Sequence, residues 1–168
     1  MHKSALAAVI AAVVLAACGY ALTEEPPRTV AELPIGTILI DGRRITTRVA
    51  ATAGDHSLGF QYASTEQIRH ELIYFRYPHA HVARFHMQNV ALPLRIAWIG
   101  PDHRVIAIDR MQPGTCCYKP PAAIIGALEF APAHPVAARI RPGSQVRLAP
   151  PLFDEQQRLS GRSHATGG

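Results

Sequence analysis

Hydrophobic residues recur mostly with period two along the middle of this chain, the spacing of half-buried strands. In residues 36–52, Ile45, Thr47 and Val49 alternate with Thr46 and Arg48, and Asp41-Gly42 supplies a hairpin turn before them, so two short strands are predicted. The alternation breaks at "STEQIRHEL" (64–72), where Ser64 and Gln67 have the spacing of a capping box and open a short helix. Strand character returns in "LIYFRY" (72–77) and in "HVARFHM" (81–87), where Val82, Arg84 and His86 alternate with Ala83, Phe85 and Met87. "LRIAWIG" (94–100) and "RVIAIDRM" (104–111) predict paired strands joined across Gly100-Pro101-Asp102-His103, with Ile96 and Trp98 in the core. Residues 123–130 add another strand, 134–140 one or two helical turns, and 142–148 a turn and a last strand. Long helices between the strands are missing, which argues against a parallel α/β sheet. The pattern predicts a mainly β (α+β) domain, a compact curled or barrel-like, mostly antiparallel sheet with one or two short helices.

The two ends depart from this pattern. "MHKSALAAVIAAVVLAACGY" has a basic start and an apolar run from Ala5 to Ala17, too short for the roughly 20 residues of a membrane span. It has the form of a secretory signal, and "LAAC" (15–18) resembles the lipobox of bacterial lipoproteins. That resemblance implies cleavage after residue 17, acyl (palmitate-type) chains on Cys18, and a lipid-anchored protein of the bacterial cell envelope. Gly19 in place of an aspartate resembles the sorting pattern of proteobacterial lipoproteins destined for the outer membrane, and that resemblance implies its periplasmic face. Residues 18–35, rich in prolines and charges, are expected to form a flexible tether, 36–148 the domain, and 149–168 a disordered tail.

Composition narrows the function classes more than it selects one. With 168 residues, 48% hydrophobic and 17% charged, the chain has room for one domain with a real core. Its formal net charge is +5, but apart from Arg43-Arg44 the arginines are scattered, and no basic run with interleaved aromatics is present. Nucleic acid is therefore not an expected partner. The expected partners are the membrane, through the lipid anchor, and an envelope protein or small ligand. No Gly-rich phosphate loop and no Gly-x-Ser-x-Gly elbow occur, and nothing calls for a cofactor.

The stretch "RFHMQNVALPLRIAWIG" (84–100) and its neighbours resemble family 192 of the domains of unknown function. That family's signature runs Phe-Trp-Met-Lys-Asn-Thr, then Pro-Leu-Asp and an apolar strand. Phe85, Met87, Asn89, Pro93, Leu94, Ile96 and Trp98 fit it at the right spacing, and downstream Cys117-Tyr118, Leu128-Glu129 and Ile140-Arg141-Pro142-Gly143 correspond to the family's Cys-Pro-x-Tyr, Leu-Glu strand and Ile-x-x-Gly-Asp turn. Upstream, "HSLGF" (56–60) is a weak match to the family's Gly-Leu-Met. The resemblance covers about Arg44 to Leu148. His86 stands where the family has Trp, Gln88 where it has Lys and Arg95 where it has Asp, so half of the family's polar cluster is altered. The family implies a fold and no reaction.

Several residues are candidates for chemistry. Asn89 is either a turn residue between strands or the lining of a polar pocket, which His86 and Tyr118 would share as ligand-binding residues. In an oxidising compartment Cys116 and Cys117 can form a disulfide; a shielded reduced pair or a soft metal site with Met111 are the alternatives. His79 and His81 are spaced to share one strand face and so a metal ion, but no nearby acid orients them, and no metal site is expected. Glu129, a lone acid in an apolar strand, is either a general base or, the commoner case, the buried partner of an arginine. The leading expectation is a non-catalytic binding or accessory module. The alternative is a periplasmic enzyme or metal/redox protein using a polar site near Asn89, His86 and Cys117.

Overall fold

A computed structural model describes residues 28–150. The expected signal sequence, the expected lipidation site Cys18 and residues 151–168 of the expected tail lie outside the described residues. Seven strands form one sheet in the order β5-β4-β6-β3-β2-β1-β7. They are β1 (Ile35–Ile40), β2 (Arg43–Ala50), β3 (Leu72–His81), β4 (Leu94–Ile99), β5 (Val105–Met111), β6 (Ile124–Phe130) and β7 (Val146–Leu148). All neighbours pair antiparallel except β2 and β3, which are parallel and joined through α1 (Ala53–Leu58) and α2 (Thr65–His70). A parallel pair needs such a crossover, which explains why both helices fall in this one connection.

The sheet curls but does not close into a barrel. Its two edges meet where Arg104 bridges Gln145 and where backbone bonds join His103 and Val105 to 143–146. β7 has only three residues, all opposite β1, so no continuous ladder to β5 can form.

Each face of the sheet carries its own core. Ile73, Phe75, Ile96, Trp98 and Ala127 pack on one face beneath Leu58, Phe60, Ile68 and the loop residues Phe85 and Met87. Leu72, Tyr74, Ala97, Ile99, Leu128 and Phe130 pack on the other with Val136 and Ile140. Both faces of the central strands are thus buried, which is why β4 and β6 read as nearly continuous apolar runs.

Three local features differ from the pattern prediction. The stretch 81–87 keeps alternating burial, with Ala83, Phe85 and Met87 inside, but past His81 it pairs only at the Phe85–Tyr118 bridge. The facing chain turns at Gly114 and Cys117, both at positive φ, and cannot continue a ladder. An unpredicted helix, α1, starts at Thr52, whose side chain accepts from the Asp55 amide in a capping box. The end of the expected tether is folded: Val30 and Leu33 are buried, and Val30–Glu32 forms a 3-10 turn. Arg48 fastens this turn, donating to the carbonyls of Ala31 and Leu33 and, through two nitrogens, to Glu71 at 3.0 and 2.9 Å.

Candidate functional site

Ile73 of β3 and Ile96 of β4 lie opposite Glu129 of β6, so the acid projects into the core beneath the helices. Glu129 is 4% exposed. Its carboxyl makes no hydrogen bond or ion pair with any described residue. It opens instead onto a partly open cavity of about 260 Å³. Leu58, Phe60, Phe75, Phe85 and Val90 form the apolar wall of this cavity, and His56, Ser57, Gln61, Arg84 and His86 its polar parts.

Gly59 brings the chain over the acid. It ends α1 at φ 49° and ψ −132°, a conformation that glycine takes without a side-chain penalty. A Cβ there would sit 3.5 Å from Glu129 Oε2 and 3.6 Å from the Phe75 ring. His56, on the same helix, points its Nε2 at the carbonyls of Ala50 (3.2 Å) and Arg76 (3.0 Å). Two acceptors on one nitrogen require that it carry the proton. The imidazole also packs against Tyr77, with centroids 4.6 Å apart.

Two buried acids show what partners do to a carboxyl. For Asp55, burial disfavours the charge, but hydrogen bonds from Thr52 and Ala51, with Arg28 beside them, hold it below the usual carboxylate range. Glu129 has no such help, and burial alone pushes it up to about 8. Tyr77 is raised by burial and, secondarily, by the charge of Glu129. Among the described residues the expected arginine partner of Glu129 is absent: Arg28 pairs with Asp55 and Glu32, and Arg48 with Glu71. The cavity therefore presents a carboxyl poised near neutrality under a basic rim.

Of the residues singled out in the sequence, His86 lines this cavity and is exposed at its rim. Asn89 and Tyr118 lie outside the lining. Asn89, at φ 56°, donates from Nδ2 to Tyr62 Oη (2.8 Å) and Gln61 Oε1 (3.2 Å), and its carbonyl accepts from the Tyr62 amide. It fastens the loop after α1 to the 84–90 loop. The Tyr118 hydroxyl accepts from the Gln112 amide and bonds Thr115, so it braces the turn opposite. Cys116 and Cys117 in that turn are joined as a disulfide between neighbours. Among the described residues no three His, Cys, Asp or Glu converge as a metal-ligand set. His79 and His81 are exposed at the end of β3, and Met111 is buried. Arg95 stands over the Phe130 ring on the opposite face, 5.7 Å from its centroid.

His56, Gly59 and Arg84 were not apparent as site residues in the sequence. The weak "HSLGF" match was the available signal, since residues 56–60 all line the cavity.

The family model of domains of unknown function 192 (DUF192, "Uncharacterized ACR") matches residues 36–148. No curated protein matches the chain. Solved structures that share the fold include a protein of unknown function from Novosphingobium aromaticivorans DSM 12444. It is 25% identical with a TM-score of 0.59, over 74% of this chain and 94% of that one. Another is a provisionally assigned transcription regulator from Sinorhizobium meliloti 1021, 16% identical with a TM-score of 0.59, over 73% of this chain and 98% of that one. The second likeness is one of fold alone.

Proposed function

We propose, from the premise that this chain belongs to family DUF192, that it is a lipid-anchored binding module of the bacterial cell envelope with its ligand site in the Glu129 cavity. The observation that carries the site is the buried Glu129 carboxyl, facing a cavity without a partner among the described residues. Burying an ionisable group unpaired costs stability, and binding sites are where such costs are met. The lipobox-like "LAAC" ending in Cys18 supports the anchor. Among the described residues no helix is long and apolar enough to cross a membrane.

Catalysis is the second reading, because a carboxyl held near neutrality is what general acid–base chemistry uses. Binding is favoured because the adjacent imidazole nitrogen, His56 Nε2, is committed to two backbone carbonyls. The full-length protein and its Glu129→Gln variant should be screened with small polar metabolites by thermal shift, with mass analysis of each ligand afterwards. Ligands that stabilise the wild type alone and are recovered unchanged fit a binding module. A ligand converted by the wild type makes the protein an enzyme, and a screen without any Glu129-dependent ligand removes the site. Separately, Cys18→Ser should abolish acyl labelling and release the domain from membranes; retention of that variant would end the lipoprotein reading.

A further inference from the structure

Resting on the cavity as a ligand site, we propose that its ligand is a small amino-acid-like zwitterion, with the ammonium group against Glu129 and the carboxylate at the rim with Arg84 and His86. An acid in the position of Glu129 is comfortable in two states: protonated, or ionised beside a cation. Among the described residues none offers a cation to its carboxyl. Arg84 lines the same cavity yet forms no ion pair with it, and among the described residues the Arg84 side chain has no acidic partner. The charges are thus separated, negative inside and positive at the mouth.

That separation selects against singly charged ligands. A simple cation must pass Arg84, and a simple anion must meet Glu129. A molecule carrying both charges is complementary at both ends. The cavity volume of about 260 Å³ is below the roughly 300–1,000 Å³ typical of pockets for drug-sized ligands. Between the two charges lie Leu58, Phe60, Phe75, Phe85 and Val90, a wall suited to an aliphatic side chain.

Ionising Glu129 for the ligand makes binding proton-linked. The other titratable groups facing the acid are His56 from α1, Tyr77 from β3, and Arg84 and His86 from the 84–90 loop. β4 presents Ile96 and Trp98, and α2 turns Ile68 inward. With an ammonium ligand, Glu129 must lose its proton, so affinity should rise about tenfold per pH unit below the folded pKa and level off above it.

The test is calorimetric titration of the full-length protein with L-leucine, isoamylamine (no carboxylate) and 4-methylpentanoate (no ammonium), between pH 6 and 9. Leucine should bind at least about tenfold more tightly than either analogue, with affinity rising up to about pH 8. Arg84→Ala should weaken leucine about tenfold and keep the pH slope, and Glu129→Gln should abolish binding. The Gln variant keeps the shape and neutrality of the protonated acid and should fold, which its circular dichroism checks. Amine binding as tight as leucine overturns the zwitterion, as does carboxylate binding that weakens with rising pH; in both the cavity remains a ligand site. If all three fail while the metabolite screen yields a Glu129-dependent ligand, the ligand class is wrong and the site stands. If both fail, the site falls with it.

Discussion

At the scale of single residues, position in the fold assigns roles that residue type leaves open. Asn89 adopts a left-handed backbone and ties two loops through its amide. Asn89→Ala should lose both the tolerance for positive φ and two hydrogen bonds, costing about 1–2 kcal/mol. Asn89→Gly, which keeps the backbone, should lose less. Urea denaturation of both variants measures this, and equal losses would make the backbone irrelevant. Glu129 gives a pH signature. Its folded pKa is raised from near 4.5 to about 8, so the fold holds on to a proton that the unfolded chain releases. Its contribution is complete below the unfolded pKa and disappears as pH rises through the folded one. The ligand-free protein should therefore lose stability from pH 5 to 8 relative to Glu129→Gln. The difference between the two isolates Glu129, because burial lowers His134 and that group acts in the opposite direction over part of the same range. Parallel stability curves would show that Glu129 titrates alike in both states.

At the scale of elements, β4 organises the helix-covered face. Trp98 is fully buried, stacks edge-on with Phe85 at 5.2 Å and donates from Nε1 to Asp109 at 2.7 Å. Trp98→Ala should cost about 3–5 kcal/mol for the cavity it leaves, with the lost hydrogen bond added. A melting temperature equal to wild type would contradict this account of the core. Phe85 also packs against Phe75 and lines the Glu129 cavity, so the same variant should weaken any ligand that the cavity proves to bind. The helices are set by their caps: Ser64 and Gln67 close a reciprocal box at α2, as Thr52 and Asp55 do at α1.

At the scale of the whole molecule, the folding unit begins before the first strand. Val30 and Leu33 are buried, and Arg48 bonds the carbonyls around them. A chain starting at Ile35 should be less stable than one starting at Arg28 by about 3–6 kcal/mol, at roughly 1.5–3 for each apolar side chain lost from the core. That is a large part of a typical 5–15 kcal/mol, and the shorter chain should melt far lower in a calorimeter. Equal stability would return 28–34 to the tether.

Much of the fold was legible in the sequence because its causes are local. Period-two alternation, the Asp41-Gly42 turn, the Ser64 cap and the 94–111 hairpin are written in neighbouring residues, and the resemblance carried by Phe85 to Trp98 is of the same kind. The parallel β2–β3 pair was not legible, since it depends on a crossover and not on either strand. The cavity was hidden for the same reason. His56, Arg84 and Glu129 come from a helix, a loop and a strand far apart in the chain, and no spacing rule links them. What Glu129 does was decided only by the tertiary structure. A lone acid in an apolar strand becomes a neutralised ion pair or a bare carboxyl at a cavity according to whether an arginine reaches it, and here Arg28 and Arg48 are held by other acids.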